Sequence, residues 1–295
     1  MTGAGSMARA DLHSPSRGVS PAVRAGLVLG IGLLAAAVVV LAAPLVLNLL
    51  LTVPALAATD PAWLEGLFTT AVFGVLALVA VLGLRLGGTW PGLGRHAVLG
   101  APLGLGLGVA GVGLSLGLSS VAGTLVTGAA GGIGPGALLG GTLAVLLQTG
   151  AEEFYFRGWI QPVVITGWGR WPGLAATAIG FAAVHFVSAA GEPLAFLNLA
   201  LAGVWLGLLA QRSGGLALPL AGHFGWNWAE ELLLGASPNP GVGNFGAVLD
   251  YDLAGNPLWG GTAEALNASL AASFVLAAVV AVTIAWPEGL GRRET

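Results

Sequence analysis

The sequence predicts an all-α, polytopic membrane protein: about eight transmembrane helices in a single membrane domain, with a polar intramembrane cavity between them. Three observations carry that reading. Of the 295 residues, 56% are apolar and only 8% are charged, whereas soluble domains run near a quarter charged. The apolar residues gather into runs close to the ~20 residues that a helix needs to cross the hydrocarbon core. All ten basic residues are arginines, and they fall in the terminal segments, on alternate connections between those runs and, for Arg157, at the inner end of the fourth run, as the preference of basic residues for the cytoplasmic side requires.

Residues 1–24 read as a flexible, polar, cytoplasmic tail carrying Arg9, Arg17 and Arg24. The first apolar run, 25–51, is followed by Ala55-Leu56-Ala57, the lettering of a signal-peptide cleavage site. It is far longer than the ~7–15 residues of a signal-peptide core, so it reads as a span. Further runs lie at 67–84, 97–119, 137–160, 172–190, 194–211, 215–235 and 266–286. Residues 25–290 then form one membrane domain. With the amino terminus inside, inner connections hold Arg85, Arg95, Arg170 and Arg212, and the tail holds Arg292 and Arg293. Outer connections hold Asp60, Glu65, Glu192, Asp250, Asp252 and Glu264, and no arginine. Both termini are therefore expected in the cytoplasm, and the Gly-, Pro- and Asn-rich loop 236–265 outside.

The 50 glycines lie mostly within the helices, where small residues let backbones approach closely. Cysteine is absent, which excludes disulfides and cysteine-ligated metals. No basic patch exists, so nucleic acid is excluded as a partner. The expected surroundings are the lipid bilayer. Arginine without lysine, with heavy Ala, Gly, Leu and Val usage, points to a GC-rich bacterial genome and so to a bacterial inner membrane.

Several lettering matches fail on context. Gly106-Leu107-Gly108-Val109-Ala110-Gly111 spells a dinucleotide fingerprint but lies inside an apolar helix with no preceding strand. Gly113-Leu114-Ser115-Leu116-Gly117 resembles a nucleophile elbow; a small-residue helix face with a back-bonded serine explains it better. No His-Glu-x-x-His occurs. Tyr251-Asp252 resembles half of a presenilin-type aspartyl pair, but the Gly-x-Gly-Asp half is absent.

What remains is polar and mid-membrane. Glu152, Glu153 and Arg157 fall on the fourth run, His185 on the fifth, and His223 and Asn227 on the seventh. Each ionisable group at membrane depth costs about 2.5–3.5 kcal/mol on insertion, so such groups persist where they are paired or face a cavity. Glu153 and Arg157 are four apart and can form an ion pair on one helix face. Glu152 is rotated about 100° away, free for acid–base work. His223 and Asn227 also project together, and Phe181 stands one turn before His185. Glu230 and Glu231 continue the His223 stripe toward the outer end and read as interfacial or loop-capping groups, with shaping the cavity floor as the lesser alternative. His13 and His96 lie in polar segments and carry no signal.

Glu152-Glu153-Phe154-Tyr155-Phe156-Arg157 resembles the Glu-Glu-x-x-x-Arg motif of the CAAX protease and bacteriocin-processing (CPBP, or Abi) family. Phe181-Ala182-Ala183-Val184-His185 fits that family's Phe-x-x-x-His, and His223-Phe224-Gly225-Trp226-Asn227 its His-x-x-x-Asn/Asp. The three occur in the family's order and cover a catalytic core over 137–235. The resemblance implies an eight-helix fold with a cytosol-facing cavity and hydrolysis of a peptide bond in a peptide or protein substrate. It implies Glu152 as general base on a water that His185 helps to hold, with His223 and Asn227 donating to the oxyanion. Such donors stabilise developing charge strongly in a dry site.

The site is expected to need no cofactor and no metal. Glu152, His185 and His223 nonetheless form a zinc-like ligand set, which leaves a zinc-dependent protease as an alternative. Weighing against it, the carboxylate best placed to hold a histidine's outer nitrogen is Glu153, which Arg157 claims. A non-catalytic immunity or scaffold protein and a transporter are alternatives from other classes.

Overall fold

A computed structural model describes residues 19–87, 90–128, 132–186, 192–236 and 243–286. Most of the expected tail, Arg292 and Arg293 lie outside the described residues. The architecture is helical: α1 (Pro21–Leu51), a one-turn α2 (Pro54–Ala57), α3 (Pro61–Gly87), α4 (Ala97–Val121), α5 (Pro135–Glu153), α6 (Gln161–Trp168), α7 (Arg170–Phe186), α8 (Pro193–Ser213), α9 (Ala217–Trp228) and α10 (Leu270–Ala285). Helix starts carry their usual signals. Ser20 Oγ accepts from the Val23 N–H at 3.3 Å, Ser269 Oγ accepts from Ala272 N–H at 3.0 Å, and prolines open α1, α5 and α8.

The helices α1, α3, α4 and α8 are each long and apolar enough to cross a membrane by themselves. The others are shorter or carry buried polar groups, which is where the site lies. The fourth expected run proves longer than its apolar stretch. A π-helical segment, Phe154–Ile160, joins α5 to α6, giving one continuous rod over 135–168, roughly 50 Å long. Its last turns escape a hydropathy reading because packing supports them instead. Buried Gln161 donates from Nε2 to Gly207 O at 3.0 Å, and Trp168 donates from Nε1 to Ala22 O at 3.0 Å. A second π-helical segment, Ala229–Leu233, prolongs α9.

The rods are ordered end to end by charge. At one end the loop before α4 meets the start of α9, with Arg95 N–H donating to Ser213 O at 3.2 Å and Leu216 N–H to Gly92 O at 3.0 Å. At that same end Arg170 Nε donates to Gln211 Oε1 at 2.9 Å, and Arg212 caps the carbonyls of Ile284 and Trp286. At the other end the Glu65 carboxylate accepts from Asn244 N–H at 2.8 Å, and Gly128 N–H donates to Asp250 O at 2.8 Å. The segment 236–265 is more than a loop: among its described residues β2 (Tyr251–Leu253) pairs antiparallel with β1 (Leu125–Thr127), Val126 opposite Asp252. Three-residue strands are too short to show alternation in a sequence. Asp252 thus sits exposed on a small sheet, away from the polar centre.

Glycine serves packing, most visibly where α4 lies along α9. A Cβ at Gly104 would strike Leu218 O, one at Gly108 would strike Gly222 O, and one at Gly111 would lie 2.7 Å from the Trp226 ring. Two of the three glycines of the false dinucleotide fingerprint therefore belong to a helix interface. Ser115 is fully buried, its hydroxyl donating to Gly111 O at 2.9 Å, so the apparent nucleophile elbow is a back-bonded serine. On α9, packed this closely on α4, His223 meets Glu152 and Glu153 of α5.

Candidate active site

The polar residues of α5, α7 and α9 meet around Glu152, which is 4% exposed. Its Oε2 lies 3.6 Å from His185 Nε2 and 3.8 Å from His223 Nε2. Those gaps exceed a hydrogen bond, so the carboxylate and both imidazoles face one another across a shared space.

Glu153 points elsewhere and is 1% exposed. Its Oε1 accepts from Arg157 Nη1 at 2.8 Å, forming the expected i,i+4 pair. The same oxygen accepts from His223 Nδ1 at 2.9 Å. This second bond corrects the expectation that Arg157 alone claims Glu153. Sequence spacing reveals partners on one helix only, and the long reach from residue 153 to residue 223 depends on how α5 and α9 pack. An ionised carboxylate can only accept, so His223 gives its Nδ1–H here and turns Nε2 toward Glu152. His185 is held alike, donating from Nδ1 to Phe181 O at 2.8 Å.

Phe181 joins these parts. Its ring lies 4.6 Å beneath the Arg157 guanidinium carbon and 4.3 Å from the His185 ring, with Phe156 edge-on at 5.2 Å. Arg157 also donates from Nη2 to Gly203 O at 3.3 Å, which ties α8 into the cluster. The guanidinium is thus satisfied by one carboxylate, one carbonyl and an aromatic face, away from water. The π-helical segment begins directly after Glu153. Such wide turns occur frequently at functional sites, and this one sits where two adjacent carboxylates must reach different partners.

A cavity of about 90 Å³, room for a few waters, opens at Glu152 and is also lined by His185, His223 and Asn227. All four residues assigned to chemistry from the sequence are therefore brought together. Glu153 and Arg157 are not among its walls. Glu152, His185 and His223 are the residues that could hold a metal; as placed, they do not close into a metal-binding group. The cavity also has walls that no motif marks: Gln148, Asn198, Trp205, Trp226 and Asn267; Glu230 lines it too, which favours the cavity alternative for it over the interfacial or loop-capping one. Gln148 precedes Glu152 by one turn, and Glu230 follows His223 by two, so helical periodicity held that signal.

Comparison with known proteins agrees with the geometry. Residues 134–229 match the family model described as type II CAAX prenyl endopeptidase, Rce1-like. No curated protein and no solved structure matches the chain. The matched segment runs from α5 into the π-helical end of α9 and contains every residue of the cluster around Glu152. Together with its apolar helices, the match indicates an integral membrane protein with a membrane-protease domain over residues 134–229, similar to the Rce1-like type II CAAX prenyl endopeptidases.

Proposed function

We propose that the domain hydrolyses a peptide bond with a water activated by Glu152, the mechanism that the convergence of Glu152, His185 and His223 supports best. Water in the shared space donates one hydrogen to Glu152 Oε2 and the other to His185 Nε2. Glu152 takes the proton as the water oxygen attacks the carbonyl carbon. Charge develops on the carbonyl oxygen, which accepts from His223 Nε2–H and the Asn227 amide. Collapse expels the amine, which takes the proton back from Glu152. His223 already gives Nδ1–H to Glu153, so it donates from Nε2 only as an imidazolium. The charge count suits that state. Two carboxylates against one guanidinium leave one negative charge, which an imidazolium balances.

No metal enters this scheme. Zinc on Glu152, His185 and His223 is the second reading, and one observation favours it: both histidines have their outer nitrogen held, by Glu153 and by Phe181 O, as metal-bound histidines do. Elemental analysis of active, chelator-treated protein separates the two. Full activity without stoichiometric zinc is expected; loss on chelation and recovery on adding zinc back would establish the metal reading.

We place the arginine-rich end of the bundle in the cytoplasm of a bacterial cell, with both termini on that side. Single cysteines at positions 16 and 244 test this in intact cells. An impermeant reagent is expected to label position 244 and not position 16; the reverse pattern would invert the topology. The activity itself is tested by mass-spectrometric peptide profiling of membranes. Fragments present with wild type and absent with Glu152→Gln are expected, and equal fragments from both would dismiss the mechanism.

A further inference from the structure

One buried carboxylate lies outside the catalytic scheme yet lines the same cavity. Glu230, in the π-helical segment Ala229–Leu233, is 5% exposed and forms cavity wall beside Asn227, Trp226 and Trp205. Its Oε2 accepts from Trp226 Nε1–H at 3.0 Å, and its Oε1 has no hydrogen-bond partner among the described residues. Among those residues no arginine or histidine pairs with it, in contrast to Glu152 and Glu153. A carboxylate held away from water without a counter-charge is costly to the fold, and entry of a cation relieves that cost.

The surroundings suit a cation. Gln148 Oε1, a second acceptor on the cavity wall, also lacks a partner among the described residues. The Trp205 and Trp226 rings meet edge-to-face at 6.4 Å, offering aromatic surface of the kind that attracts ammonium and guanidinium groups. The buried Trp205 Nε1–H is likewise unpartnered among the described residues, a donor suited to a peptide carbonyl. A carboxylate, an amide acceptor and two indoles describe a pocket for a basic side chain on a peptide.

We propose that Glu230, Gln148, Trp205 and Trp226 form a specificity subsite for a lysine or arginine side chain near the scissile bond. The proposal rests on the proteolytic reading of Glu152, because it supposes that the cavity receives a peptide. Glu230 is then the residue that selects the substrate, and it takes no part in bond cleavage.

The test uses full-length protein in nanodiscs of zwitterionic lipid, so that basic peptides find no anionic bilayer. A random peptide pool is offered in two arms. In the cleavage arm, wild type is expected to enrich lysine and arginine on the order of tenfold at one fixed position relative to the cut, the scale given by pairing a desolvated charge. Glu230→Gln keeps an acceptor for the Trp226 N–H and is expected to lose that preference; Glu230→Arg should turn it toward acidic residues. Glu152-dependent cleavage with no basic preference, or with one that survives Glu230→Gln, overturns the subsite and leaves the protease reading standing. The capture arm compares peptides retained by Glu152→Gln and by the Glu152→Gln/Glu230→Gln double variant. Basic peptides held only by the former support the subsite even if no cleavage is found, in which case the protease reading fails instead. Equal retention by both overturns the subsite whatever the cleavage arm gives.

Discussion

Glu152-Glu153 and Glu230-Glu231 are the same two letters in the same kind of place. All four side chains are buried, and each pair adjoins or occupies a π-helical segment. In each pair the first glutamate lines the cavity and the second does not. The difference lies in counter-charge. Around the first pair stand Arg157, His185 and His223, so that the turned-away Glu153 anchors Arg157 and His223 while Glu152 faces the cavity between two imidazoles. The cavity-facing member of the second pair has an indole N–H and no cation among the described residues. Burial alone therefore does not mark a carboxylate for chemistry. A base needs groups that orient its water and accommodate the charge it creates, and Glu152 faces two imidazoles suited to that. Glu230, the cavity-facing member of the second pair, has no counter-charge among the described residues, the property of a binding site.

That contrast is broken most severely at Glu152. Glu152→Gln keeps shape and volume and removes the base, so turnover is expected to fall on the order of 10²–10⁴-fold with an unchanged melting temperature. Glu153→Gln should act first on stability. It strips Arg157 of its charge partner in a low-dielectric setting and is expected to destabilise the fold by about 3–5 kcal/mol, read from denaturation in detergent. It also frees the His223 ring, so activity falls through misorientation. Similar melting temperatures and similar residual activity in both variants would show that the two members of the first pair do not divide their work.

Much of this was legible in the sequence, for identifiable reasons. The eight apolar runs foretold the rods because hydropathy reports what lipid requires. The Glu153–Arg157 pair was readable because both residues lie on one helix at a spacing of four. The joint placement of Glu152, His185, His223 and Asn227 followed from their cost in a membrane and from three motifs in order. Bonds between distant segments were not readable. His223 Nδ1 to Glu153 and Asn198 to the carbonyls of Asn267 and Ser269 depend on helix packing. The rod beyond residue 160 was missed because Gln161 and Trp168 are held by hydrogen bonds that no apolar run records. An interfacial place for Glu230 is the first expectation because a carboxylate near a helix end ordinarily reaches water, and here Val248, Leu249 and Tyr251 bond to the carbonyls of Leu232, Leu233 and Leu234 at that end.

The smallest expected effect tests whether the second pair carries charge at all. Trp226→Phe removes the indole N–H that Glu230 Oε2 accepts while keeping an aromatic ring against α4. A hydrogen bond to a charged acceptor contributes about 1.5–3 kcal/mol, and one to a neutral acceptor about 0.5–1.5 kcal/mol. Trp226→Phe is therefore expected to cost about 1 kcal/mol more in the wild-type background than in the Glu230→Gln background, after the lost ring volume cancels between the two sides of the cycle. Unfolding of the four proteins in mixed micelles gives that difference directly. An equal cost in both backgrounds would mean that Glu230 is neutral as it stands. The two glutamate pairs would then differ in charge state as well as in neighbours, and the pull of Glu230 on a basic side chain would have to come from a proton lost as the ligand enters.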